Sequence, residues 1–293
     1  MKELTKLLLV TVAASSCGER PATGSPQTAQ PRQVTATHAV IAQQTQQIRI
    51  PTYRLAAGNV DKPPDDLGAL TIRPEAEDQQ AEGPQSFVVL DDGRFVIADP
   101  LRERLALYSA AGTFEREIKL DAAPSEVALE GGRLRVTIAT DSTMRTIDLE
   151  GRLVPAGADT GFKPPEPDVV LDSERSGVIR WKGGIGPASA TSGVRVQLDD
   201  PNVRLASLRV IAGGPNGTVY VSAESAERSG RSLATVATTI FRYSAGNELE
   251  VEVQNIPLDY YVTPTTPFRV AGNTLYQLYP QLDAVVIHVW KLP

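Results

Sequence analysis

Residues 83–120 read G-P-Q-S-F-V-V-L-D-D-G-R-F-V-I-A-D-P-L-R-E-R-L-A-L-Y-S-A-A-G-T-F-E-R-E-I-K-L, and their punctuation divides them into four short strands. Phe87 to Leu90 is an apolar run, Asp91-Asp92-Gly93 has the chemistry of a tight hairpin turn, and Arg94 to Ala98 alternates in character. A third strand, Arg104 to Tyr108, follows a polar loop. Ala111-Gly112 then turns the chain into a fourth, Phe114 to Leu120.

The same order of strand, glycine turn and strand returns in looser form. Val127 to Val136 and Arg145 to Val154 make a second copy, Val169 to Trp181 with Gly193 to Leu198 a third. Val210 to Ser222, Thr239 to Gly246 and Leu249 to Val253 make a fourth; Phe268 to Gln277 and Ala284 to Trp290 make a fifth. The turn glycines at 93, 132, 177, 217 and 272 are spaced by 39, 45, 40 and 55 residues, and periods of about 40–50 mark propeller arrays built from four-stranded blades. The fifth copy holds only three strands, so an early segment, Leu67 to Ile72 or Ile48 to Leu55, is expected to pair there and remove an open edge. These readings predict an all-β fold over residues 48–293, a β-propeller of five or six four-stranded blades.

Composition agrees with this class. The 23 glycines and 22 prolines favour many short strands over long helices. A net charge of −6 comes from 29 basic and 35 acidic residues scattered along the chain. Phosphate backbones are bound by clustered Lys and Arg, so no nucleic-acid partner is expected.

The start of the chain has another character. Lys2 and Lys6 precede a mainly apolar run from Leu7 to Ala14, followed by Ser15, Ser16 and Cys17, the only cysteine. That run is too short to cross a bilayer, which takes about 20 residues, and has the layout of a signal peptide over residues 1–16. Residues 17–47 are rich in Gln, Thr, Ala and Pro with few large apolar side chains. A segment of this kind cannot offset its ordering entropy by burial, so it is expected to be a flexible tether.

Two resemblances add to these readings. The segment ending at Cys17 resembles the lipobox of bacterial lipoproteins, with Ala14 where leucine is usual. The resemblance implies cleavage before Cys17, a diacylglycerol on its sulfur and an acylated amino terminus, such as a palmitate. Two or more acyl chains make such an anchor stable. Gly18 follows the cysteine in place of the aspartate that retains many lipoproteins in the inner membrane, which implies the outer membrane of a bacterial cell envelope. Separately, Gly93, Asp99, Arg104 and Gly112 occupy the places of a turn glycine, a strand-ending Asp, a strand-opening Arg and a second turn glycine, and so resemble NHL-type repeats. That family implies a fold and a binding surface, with no particular reaction.

Candidate sites are few. Of two histidines, His38 lies in the tether and His288 in the strand Val285 to Trp290, where a strand residue is expected to be packed or at the surface. No zinc-protease, nucleophile-elbow or phosphate-loop motif is present. A-E-G-P, residues 81–84, resembles the Glu-Gly-Pro that opens a blade in gluconolactonase-type propellers, and implies Glu82 as a ligand for Ca²⁺ in a metal-dependent hydrolase. The Asn and Asp motifs that complete that site have no match here, and one carboxylate does not supply the 6–8 oxygens Ca²⁺ takes. Asp99 and Arg104 read either as a recognition pair at a blade edge or as an ion pair fixing a loop. Tyr260 and Tyr261, with Tyr276 and Tyr279, read as a binding face or as blade packing. The expectation is a lipid-anchored, non-catalytic envelope propeller that binds a protein or polysaccharide partner; the alternative is the hydrolase centred on Glu82.

Overall fold

The computed structural model describes residues 38–55, 66–154, 167–181, 193–198, 202–213, 217–229 and 232–293. Cys17, the expected signal peptide and most of the expected tether lie outside the described residues. Among the described residues there are twenty strands in five sheets, one 3-10 turn at Pro100–Arg102, and no helix long and apolar enough to cross a membrane.

The opening stretch folds as its punctuation dictates. β4 (Phe87–Val89), β5 (Phe95–Asp99), β6 (Arg104–Tyr108) and β7 (Phe114–Lys119) form one antiparallel meander. At the first turn Gly93 takes φ +85°, a left-handed conformation that glycine adopts without cost, and its N–H donates to Leu90 O at 2.9 Å. β5 and β6 are buried at every residue, although alternation in β5 predicts one solvated face. The reason is that this sheet is covered on both sides, so its side chains feed two separate cores.

The chain divides into two compact units. The larger holds residues 41–164, 211–215 and 254–293. Its sheets are β4–β7, a second of β8 (Pro124–Glu130), β9 (Arg133–Ile138) and β10 (Met144–Ile147), and a third of five strands. The third runs β18 (Phe268–Ala271), β19 (Thr274–Pro280), β20 (Ala284–Lys291), β2 (Gln46–Arg54) and β3 (Leu70–Ile72). β4 lies beside β18 on one side and β8 on the other, so the first strands of the three sheets adjoin. The sheets face one another through apolar layers. Ile48, Ile50, Phe87, Phe95, Leu278 and Ile287 fill one, and Val88, Val96, Leu107, Val127 and Val136 the next. Full burial of each such side chain stabilises by about 1.5–3 kcal/mol.

Both early segments close the last sheet. β2 pairs antiparallel with β20, from Gln46 opposite Val289 to Pro51 opposite Ala284, and β3 pairs parallel with the end of β2.

The smaller unit holds residues 165–210, 216–253 and the stretch ending at Val40. It contains a sheet of β11 (Pro167–Leu171), β12 (Ser176–Trp181) and β13 (Val194–Gln197). The other sheet runs β14 (Val203–Gly213), β15 (Val219–Ser229), β16 (Ser232–Tyr243), β17 (Leu249–Val253) and, at its edge, β1 (Ala39–Ile41). Among the described residues strand pairing is already present at Ala39, ahead of the expected boundary at residue 48. His38 is not loose in a tether: its Nε2 lies 3.1 Å from Glu252 Oε2. The apolar content of A-V-I at 39–41 is small, and an unpaired edge on β17 supplies the hydrogen bonds that composition alone cannot foresee.

Successive antiparallel meanders, which in the larger unit adjoin by their first strands and end in a sheet completed by an early strand, make this an all-β chain of the β-propeller class. Among the described residues only β4–β7 has the expected four strands; the others have three or five, with N-terminal strands added to two sheets and the second sheet followed by the isolated bridge Ile147–Leu153.

Candidate functional site

The inner strands of the larger unit carry a polar network. Arg269 follows Phe268 at the start of β18 and is half-buried. Its guanidinium Nε donates to Phe87 O on β4 at 2.8 Å and its Nη2 to Val127 O on β8 at 3.0 Å. One side chain thus ties three sheets together. Burial lowers the pKa of Arg269 from its ordinary value, with Glu126 pulling the other way. Among the described residues no carboxylate is within ion-pair distance of it.

Ser86, fully buried, accepts from Val127 N at 3.1 Å and lies 3.3 Å from the Thr266 hydroxyl. Thr266 in turn approaches Glu126 Oε1 at 3.4 Å. These contacts satisfy polar groups that would otherwise be stranded where the sheets converge.

Beside this network opens a pocket of about 760 Å³. Residues of β4, β8 and β18 line it, and its charged lining is Asp91, Arg269 and Lys291. Register explains the grouping. Arg269 opposes Tyr276, and Thr274 opposes Lys291. Directly opposed residues of an antiparallel pair share a face and side chains alternate with period two, so all four project from one face of the last sheet. Lys291 Nζ donates to Thr274 Oγ1 at 3.0 Å, which holds the exposed ammonium at the pocket rim. Tyr276 packs edge-on to Phe95, with ring centroids 5.9 Å apart.

The residues singled out in the sequence fall elsewhere. Asp99 and Arg104 do form a pair, opposed in register, but they are 0% and 1% exposed. Arg104 donates to Asp99 Oδ2 and Glu117 Oε2 at 3.1 Å and to the carbonyls of Leu67 and Ala69 at 2.9 and 2.7 Å. They brace the 67–69 segment against the sheet, and the expectation of a recognition pair at a blade edge is corrected: buried on all sides, they offer nothing to a ligand. Burial pushes the Asp99 carboxyl up to about 6, against the pull of Arg104.

Tyr260 and Tyr261 are likewise turned to internal use. The Tyr260 hydroxyl accepts from Gln277 Nε2 at 2.7 Å and its ring lies 5.4 Å from that of Tyr279; the Tyr261 hydroxyl accepts from Glu75 N at 3.2 Å. Neither lines the pocket. Glu82 pairs with Arg73 at 2.5 Å across a backbone bridge, and among the described residues no group of three or more His, Cys, Asp and Glu converges on a metal position.

Sequence reading passed over Arg269, Ser86, Thr266 and Lys291. The available signal was an arginine opening an otherwise apolar strand just after the T-P-T-T-P loop at 263–267.

No protein-family model matches this chain, and no curated protein matches it. Among solved structures it is similar to a gluconolactonase from Xanthomonas campestris, at 12% identity and TM-score 0.35 over 86% of this chain and 99% of that one. It is also similar to BamB from Moraxella catarrhalis, at 12% identity and TM-score 0.29 over 85% and 97%. A third is the calcium-binding protein regucalcin from Agrobacterium tumefaciens, at 11% identity and TM-score 0.30 over 72% and 91%. Superpositions this loose carry no argument, and the propeller class rests on the strand pairing described above. Fold and site together define a propeller chain with a pocket on its inner strands that carries charged residues in its lining.

Proposed function

We propose that this chain is a lipid-anchored, non-catalytic β-propeller of the bacterial cell envelope that binds a polysaccharide partner through the pocket on its inner strands. The observation that carries the reading is the pocket itself. It is of ligand-binding size, and among its apolar lining it brings together Asp91, Arg269, Asn273, Thr274 and Lys291 with one aromatic ring, Tyr276. Rigid strands position these groups, which is how a binding site keeps its geometry. The anchor rests on the lipobox-like residues before Cys17, and outer-membrane placement on Gly18.

The hydrolase alternative draws support only from Glu82, whose carboxylate is held by Arg73. Mass spectrometry of the mature amino terminus tests the anchor: a diacylated Cys17 is expected, and cleavage elsewhere removes it. Crosslinking in intact cells tests the partner. Recovery of envelope glycan bound at pocket residues supports the reading, recovery of one protein at the same residues replaces the polysaccharide with a protein, and calcium-dependent lactone turnover by the purified chain overturns the non-catalytic assignment.

A further inference from the structure

We infer that the pocket on the inner strands receives anionic groups of an acidic polysaccharide, with Arg269 and Lys291 as its cationic lining. This rests on the reading of the chain as a polysaccharide-binding propeller and specifies the chemistry of the ligand. Three observations carry it. The Arg269 guanidinium is tied by Nε and Nη2 to carbonyls on β4 and β8, so its plane is fixed, while Nη1 has no acceptor among the described residues. A half-buried guanidinium held by two carbonyls, with no carboxylate at ion-pair distance among the described residues, leaves an entering anion free to add a charge-assisted hydrogen bond.

Lys291 supplies a second cation on the same face, steadied by Thr274. Against these two stands one lining carboxylate, Asp91, exposed at the β4–β5 turn. The lining also contains what a sugar ring needs: the Tyr276 ring for its apolar face, and the Asn273 amide with Asp91 for hydroxyls. Carboxylate and sulfate esters are both anions that this pair would hold, and the guanidinium fork favours the planar carboxylate.

The test measures binding of the purified full chain in detergent to polygalacturonate, dextran sulfate and neutral dextran. Polygalacturonate is expected to bind most tightly, and to weaken as salt rises toward 0.5 M. Lys291→Gln changes an exposed side chain, so folding is retained, and is expected to weaken polygalacturonate binding about tenfold. Arg269→Lys keeps the charge but loses the fork and is expected to weaken it at least as much. Dextran sulfate binding more tightly than polygalacturonate identifies a sulfate-bearing ligand with the anion site intact. Equal binding of dextran and polygalacturonate, unchanged in Lys291→Gln, overturns the anion site while leaving polysaccharide binding in place. Binding of none of the three overturns both.

Discussion

Gln277 and His288 oppose each other across the β19–β20 ladder, and both keep buried polar atoms without a hydrogen-bond partner among the described residues. Gln277 spends its amide on Pro257 O and the Tyr260 hydroxyl, each at 2.7 Å, leaving Oε1 unsatisfied. The His288 ring sits between Tyr279 and Trp290, with centroids 4.9 and 6.0 Å away, and among the described residues neither nitrogen has a hydrogen-bond partner. An imidazole in that setting is neutral: burial lowers its pKa to about 4, against a weak pull from Asp259.

Acid is therefore expected to weaken the fold through this residue. The unfolded histidine takes its proton near 6.5 and the folded one only near 4, so its contribution is complete above pH 6.5 and falls as pH drops through that window. The loss amounts to about 3 kcal/mol. Asp99 acts in the opposite sense, because its folded carboxyl, raised to about 6, takes up a proton before the unfolded one does. The informative quantity is thus the difference in denaturant midpoint between the native chain and His288→Phe from pH 7 to pH 4. A difference that stays constant across that range sinks the prediction.

Arg104→Met is expected to destabilise by about 3–5 kcal/mol, since it strands the Asp99 carboxylate inside the sheet. Asp99→Asn is expected to cost less, because an amide retains an acceptor for the guanidinium and carries no charge to desolvate. The double variant should fall well short of the sum of the two. Urea unfolding of the three proteins decides this, and additive costs would show that the pair does not act as a unit.

Gly112→Ala and Gly132→Ala separate two kinds of strain. Both glycines have positive φ, +82° and +76°, where a non-glycine residue costs about 1–2 kcal/mol. A Cβ at 112 would also meet Ile48 Cγ2 at 2.6 Å, whereas one at 132 meets nothing within 4 Å. The first substitution is expected to lower the melting temperature clearly more than the second. Equal shifts would mean that β2 does not press on that turn.

Ile50→Ala should cost about 2–5 kcal/mol, as expected of a fully buried side chain whose removal leaves a cavity. Its weight comes from position: β2 shields the edge of β20. Deleting residues 38–55 is expected to go further and promote association, measured by light scattering. A monodisperse truncated protein would show that the edge is protected in another way.

Much of this was legible in local chemistry. Asp91-Asp92-Gly93 announces its hairpin because only certain residues make such a turn cheaply, and the recurring turn glycines announce a series of meanders. The pairing of Asp99 with Arg104 was also visible as a spacing. Whether that pair faced a partner or the inside of a sheet was not, since burial depends on Leu67 and Ala69 folding over it from far along the chain.

The sequence by itself determined strand, turn and order, because these depend on neighbours a few residues apart. Tertiary structure alone decided that β2 completes the last sheet, that both faces of β4–β7 are covered, and that Arg269 reaches across to β4 and β8. Those outcomes depend on which distant segments meet, and a guanidinium becomes a strut or a ligand only once three separate strands have fixed the carbonyls around it.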